Sequence, residues 1–209
     1  MTWSVEVVRG TAAEFHARAL PEPFVPAVWW FEVTRPALVI GSAQPLATVD
    51  VAACEAAGVE VVHRRSGGGA VLLVPGEVVW FDVLVPRGHL RWDDDIGRAA
   101  WWLGEAVRTA TGRAEAVVHT GPLVRRGWSS VVCFAGLGPG EVTVDGAKLL
   151  GVSQRRTRDG ARLQCAIYRH WDPAALVGLL APPRPPVADL LDVVAVGDLA
   201  LPALLAALG

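Results

Sequence analysis

Apolar and polar residues alternate from Trp3 to Val8, which predicts a short edge strand, and Thr11–Leu20 is patterned as a helix closed off by PEPFVP. Val28–Val33 and Ala37–Ile40 are apolar runs of strand length, the second ending at Gly41. Thr48 is placed to cap a helix running to Ala57 with Gly58 as its stop, and Val59–His63 reads as the next strand. AVLLV, the turn Pro75-Gly76 and EVVWFDVLV together predict a hairpin. The clearest helical pattern is Asp93–Thr111, with acidic residues at its start, Trp101, Trp102, Leu103, Ala106 and Val107 among its apolar positions, and Gly112 at its end. Further strands are expected at Ala116–His119, Glu141–Val144, Lys148–Arg156 and Arg162–Tyr168. Pro173–Leu180 predicts a helix, PPRPP a stiff spacer, and Leu190–Leu208 a mostly helical stretch. The sum is an α+β chain: a mixed, largely antiparallel sheet with flanking helices.

Composition narrows the function classes. With 209 residues, 52% hydrophobic and 19% charged, the chain is long and apolar enough for one well-packed domain. Its formal net charge is -2, and basic residues cluster only as pairs such as Arg64-Arg65, Arg125-Arg126 and Arg155-Arg156, so no nucleic-acid partner is expected. MTWSVEVVRGTAAEF lacks the charged leader and apolar core of a secretion signal, and charges and prolines interrupt every apolar run before membrane-spanning length. Cys54, Cys133 and Cys165 are an odd set without paired spacing, which argues against a disulfide framework or a zinc site. The expectation is a cytoplasmic, reduced protein with no membrane partner. His16, His63, His89, His119 and His170 are scattered without metal-ligand spacing, so no protein-held metal site is predicted.

Two stretches carry candidate chemistry. In HRRSGGGAVLLVPG, from His63 to Gly76, three glycines allow positive φ and close approach of a ligand to bare N–H groups, and Arg64 and Arg65 add charge at the entrance. Neither GxxxxGK[ST] nor GxGxxG leading into a helix is present. The other stretch, VDGAKLLGVSQRR, holds the one lysine among nineteen basic residues. A guanidinium fork is broad and rigid whereas an ammonium is compact, so Lys148 marks a position that a fork does not suit, such as the end of a narrow pocket. Gly146 and Gly151 flank it, and the polar residues Ser153, Gln154, Arg155 and Arg156 fall on both faces of the strand.

RRSGGGAV followed by GAKLLGVSQRR, with PALVIGSAQ (Pro36–Gln44) before them, resembles the catalytic domain shared by lipoate–protein ligases, octanoyltransferases and biotin–protein ligases, the ligase branch above all. The resemblance spans roughly Val28–Tyr168. It implies a class II synthetase-like fold over a single domain, 1–209, without the separate C-terminal accessory domain of larger ligases. It implies ATP, Mg2+ and lipoate as substrates, with no tightly bound prosthetic group. Lipoyl-adenylate would form, and its acyl group would pass to a lysine of a lipoyl acceptor domain of a 2-oxoacid dehydrogenase or glycine cleavage complex. By position, Arg64, Arg65, Ser66, Gly67, Gly68, Gly69 and Ala70 would wrap the acyl-adenylate. Gly151, Gln154 and Arg156 would line the same site, and Lys148 would hold the activated acyl oxygens.

The chain also departs from the family pattern. Leu72 and Leu73 stand where a histidine is frequent, as do Cys165 and Ala166 in a later strand, and GPGEV replaces Asn-Asp, leaving Glu141 alone in the nucleotide and metal region. Cys133, in VVCF, resembles the cysteine of one octanoyltransferase group. There a thiolate takes the acyl group from acyl carrier protein without ATP. A non-catalytic acyl-binding protein that has kept the fold is the third reading.

Overall fold

In a computed structural model that describes residues 3–209, Val78–Pro86 is a strand buried nearly throughout. A strand with no solvent face needs cover on both sides, and the rest of the architecture supplies it. In chain order the strands are β1 (Ser4–Gly10), β2 (Ala27–Val33), β3 (Ala37–Ile40), β4 (Glu60–His63), β5 (Val71–Leu73), β6 (Val78–Pro86), β7 (Ala116–Val118), β8 (Val142–Val144), β9 (Ala147–Arg156) and β10 (Gly160–Tyr168). The helices are α1 (Ala12–Ala17), α2 (Val51–Ala56), α3 (Trp101–Thr111), α4 (Pro173–Gly178) and α5 (Leu201–Leu208). Seven strands form one sheet in the order β1-β2-β6-β10-β9-β8-β7, and β4-β3-β5 form a second. All neighbours in the large sheet are antiparallel except the edge pair β1–β2, and β3 runs parallel to β4 but antiparallel to β5.

Strand alternation then sorts side chains into layers. Val79, Phe81, Val83 and Val85 of β6, with Ala161, Leu163, Cys165 and Ile167 of β10, pack in one core with Leu103 and Val107 of α3 and Leu204 and Leu208 of α5. The opposite face of β6 turns Val78, Trp80 and Leu84 towards Phe15 of α1 and Val39 and Leu73 of the small sheet. Asp82 on that face is fully buried and ion-paired with Arg162 of β10. The guanidinium also donates to the Phe15 carbonyl, and Trp80 Nε1 donates to the carboxylate.

The expected hairpin at Pro75-Gly76 is corrected. The turn is present, with Gly76 at φ 80° and Glu77 N donating to Val74 O at 3.1 Å, but β5 pairs with β3 and β6 joins the other sheet. Strands apolar on both faces satisfy the hairpin pattern and a change of sheet equally well, so tertiary packing decides. The helix expected from Thr48 begins after Asp50, whose carboxylate caps Ala53 N, and Leu46–Thr48 is a separate 3₁₀ turn. The helix expected from Asp93 begins only at Trp101, because the Asp93 and Asp95 carboxylates accept from Asp95 N and Gly97 N and hold local turns instead. Only Leu201–Leu208 of the expected C-terminal helix is α-helical. Upstream, Val193 O accepts from Lys148 N at 2.9 Å and Ala195 N donates to Lys148 O at 3.0 Å, pinning that segment along β9. Among the described residues, no helix is long and apolar enough to cross a membrane.

Candidate active site

Lys148 enters the site through a tight turn. Asp145 and Gly146 have φ of 50° and 85°, the left-handed pair that a two-residue connection between β8 and β9 requires. With its backbone clamped by residues 193 and 195, the side chain runs inward and is 3% exposed. Its ammonium donates to Glu141 Oε2 and to the Cys133 carbonyl, both at 2.9 Å, and lies 4.8 Å from the centre of the Phe134 ring. Glu141 accepts three donors in all: Lys148, Gly138 N at 2.6 Å and Val152 N at 2.9 Å. Removing both charges from water is costly, and this saturation of the carboxylate is what makes the buried pair tolerable.

Phe134 separates two spaces. On one side a narrow cavity of about 50 Å³ lies between the two sheets, walled by Val39, Val71, Leu73, Trp80, Phe134 and Ala166. Polar groups reach it from Arg64, Ser153, Gln164 and His16, and the Cys133 side chain lines it too. On the other side a roomier cleft of about 310 Å³ is lined by Lys148, Phe134, Arg126, Trp128, Asp189 and Asp192. Gly151 lets the ring lie close, since a Cβ there would come within 3.0 Å of it.

The glycine loop forms one wall of the cavity. Arg64 is buried and braces the loop: its Nη2 donates to the carbonyls of Gly67 and Gly69, each at 2.8 Å, and Nη1 donates to Val39 O at 3.2 Å. Burial pushes its guanidinium pKa down. Close approach explains two of the glycines. A Cβ on Gly41 would fall 1.9 Å from Gly68 O, and one on Gly69 would fall 2.7 Å from the backbone of Val132 and Cys133. Ala70 is buried and bonded through its backbone to Val131 and Cys133, so the loop and the 131–133 segment form one unit. Gln44 ties in both: Oε1 accepts from Gly41 N, and Nε2 donates to Val131 O.

Several expected residues lie elsewhere. Gln154 donates to the Ile96 carbonyl and Arg156 to those of Asp93 and Asp94, with its guanidinium 4.2 Å above Trp92. Neither lines the cavity; they hold the 93–96 segment in place. Glu141 is not an open ligand for nucleotide or metal, since its oxygens are taken by Lys148 and two backbone N–H groups. Arg65 and Gly67 are exposed, and the Arg65 side chain lines a separate outer groove. Ser66 is buried: its Oγ donates to Gln164 Oε1 and lies 3.0 Å from Ser153 Oγ.

Ser153, Gln164, Phe134, Trp80 and His16 were not singled out from the sequence. Gln164 had a signal, as a polar residue among apolar ones in β10. His16 had none, because α1 meets the cavity only in the folded chain. The His16 ring packs 4.8 Å from Trp80, and Nδ1 accepts from Gln164 Nε2 at 3.3 Å. Burial, then the Arg162 and Arg64 charges, hold its pKa down at about 3, so the ring is neutral at ordinary pH with its proton on Nε2. Among the described residues, no group of three or more His, Cys, Asp or Glu side chains is placed to hold a metal ion.

The family model described as the lipoyl protein ligase A/B catalytic domain matches residues 12–189. Three solved structures share the fold along 100% of this chain at 18% sequence identity. One is protein Ta0514 of T. acidophilum with bound lipoic acid (TM-score 0.67, 83% of that chain). Another is a bi-partite lipoate protein ligase from Thermoplasma acidophilum, studied with its E2 lipoyl domain (0.70, 81%). The third is a lipoate-protein ligase A bound with ATP (0.65, 83%). No curated protein sequence matches this chain.

Proposed function

Because the chain belongs to the lipoyl protein ligase A/B catalytic domain family, we propose that it activates lipoate with ATP and transfers the acyl group to a lysine of a lipoyl acceptor domain. The observation that carries this reading is Phe134 set between a narrow, mainly apolar cavity and a larger cleft lined by Lys148. An acyl chain in the first and a nucleotide in the second would bring carboxylate and α-phosphate together beside the lysine. The relatives' bound lipoic acid and ATP, and the lipoyl domain studied with one of them, support the same assignment.

In this reading the Lys148 ammonium stabilises negative charge developing on the acyl and phosphate oxygens as the mixed anhydride forms, and again as the acceptor amine attacks it. Glu141 and the Cys133 carbonyl fix the direction of the ammonium beforehand, so little reorganisation is needed during reaction. Gln164 and Ser153 line the cavity, with Ser66 bonded to both, and give the acyl chain a polar stop. Among the described residues no carboxylate cage is placed for magnesium, so the ion would arrive on the ATP phosphates.

The placement of the Cys133 side chain in the acyl cavity beside the glycine loop favours one alternative, an ATP-independent octanoyl transfer through a Cys133 thioester. Intact-mass analysis of a purified lipoyl domain decides between them. Incubation with this protein, lipoate, ATP and magnesium is expected to add one lipoyl group, lost in Lys148→Ala and kept in Cys133→Ala. Modification only from octanoyl-acyl carrier protein, lost in Cys133→Ala, establishes the alternative. Modification under neither condition sinks both and leaves an acyl-binding protein.

A further inference from the structure

Outside the cavity, a groove of about 680 Å³ is lined by residues 17–24 on one side and by Arg65, Arg155, Thr157, Arg158 and Asp159 on the other. Two of its arginines have internal carboxylate partners, Arg18 with Glu6 and Arg158 with Asp159. Arg65 and Arg155 have none: among the described residues neither donates to a carboxylate or a carbonyl. They also repel one another, since the Arg65 charge, after burial, lowers the pKa of Arg155. The carboxylates of Glu22 and Asp159 also line the groove, but neither pairs with Arg65 or Arg155, and two like charges side by side favour an external anion.

Their position suggests which anion. Arg65 precedes Ser66, and Arg155 follows Ser153 on the same face of β9, and the two serine hydroxyls meet at 3.0 Å. The arginine pair therefore rims the end of the cavity remote from Lys148. Seven residues of strand separate Lys148 from Arg155, about 23 Å at the usual rise. The phosphates of a nucleotide engaged at Lys148 would not span that distance, whereas a protein domain of ordinary size would.

We propose that the Arg65–Arg155 groove is a docking surface for an acidic, carboxylate-bearing segment of the lipoyl acceptor domain. The inference rests on the acyl-transfer reading for the identity of the partner. The groove recognises the domain by charge while the reactive lysine arm reaches Lys148 elsewhere. Rim charges of this kind act mainly on encounter and on salt dependence.

The test is binding and half-reaction kinetics in wild type and Arg155→Glu, after cooperative thermal unfolding of each has shown that both are folded. Affinity for a purified lipoyl domain is measured calorimetrically at low and high salt, without catalysis. Pyrophosphate release from ATP and free lipoate is followed separately. The expected result is a loss of about tenfold in domain affinity at low salt, a gap that narrows at high salt, and unchanged pyrophosphate release. Unchanged affinity, no binding by the wild type, or an equal fall in pyrophosphate release overturns the proposal. The last outcome would return Arg155 to the small-molecule site. Absence of pyrophosphate release in the wild type with the affinity difference intact would instead refute the ligase reading and leave the docking surface standing.

Discussion

Replacing Glu141 with glutamine keeps the shape of the side chain and removes its charge. In the native structure both carboxylate oxygens face donors only: the Lys148 ammonium, Gly138 N and Val152 N. A glutamine amide accepts with one end and donates with the other, so in either orientation its NH2 confronts a donor. Lys148, 3% exposed, is then a buried cation with only neutral carbonyl oxygens to accept from it and no charge to balance it. Removing one partner of such a pair typically costs about 3–5 kcal/mol. For a chain of this length that lowers the thermal midpoint by roughly 10 °C. Glu115→Gln, at an exposed position, controls for the substitution and is expected to change stability by less than about 0.5 kcal/mol. Urea unfolding of wild type, Glu141→Gln, Lys148→Met and the double variant completes a cycle. The double variant is expected to be more stable than the sum of the single losses by about 2 kcal/mol or more. Additive single effects, or a Glu141→Gln loss below about 1 kcal/mol, would refute the view that this pair is tightly coupled.

Gly41→Ala drives a methyl group into the Gly68 carbonyl and is expected to lower stability by more than about 2 kcal/mol and to abolish stabilisation by octanoate. Gly67→Ala, with nothing within 4 Å of the new methyl, is expected to be nearly neutral in the same thermal-shift assay. His16 is neutral in the native state down to a pKa of about 3 but protonates near 6.5 when unfolded, so the unfolded chain binds more protons between those values. Stability due to this group is therefore full above about pH 6.5 and falls as pH drops towards 3, by up to about 1.4 kcal/mol per pH unit. His16→Asn is expected to flatten the slope of unfolding free energy between pH 6 and 4, and an unchanged slope would refute the assignment. Gln154→Ala leaves the cavity untouched and is expected to preserve acyl transfer, with only a modest effect on stability from the lost bond to Ile96.

How much was legible in the sequence varied with the range of the determining interactions. The glycine loop and the strand bearing Lys148 announce themselves locally, through close-approach glycines and a lysine in an arginine-using chain. The family resemblance placed Gln154 and Arg156 in the same site as Lys148. The register shift against β8 sends both Leu149 and Leu150 into the same core, so alternation does not carry across it, and Gln154 and Arg156 bond to the 93–96 segment instead. The β5–β6 connection misled for another reason: nothing in two apolar runs and a turn states which sheet each run joins. Glu141 and His16 acquire their roles only from partners brought by the fold, seven residues away in one case and more than a hundred in the other.

The clamp of Val193 and Ala195 on the Lys148 backbone has a consequence for biosynthesis. The chain leaves the ribosome in order, so β9 and its lysine emerge well before the segment that pins them. Until residue 195 is free, a nascent chain carries the lysine without its final frame. A chain arrested or cleaved before that point keeps Lys148 but lacks the two backbone bonds that fix it.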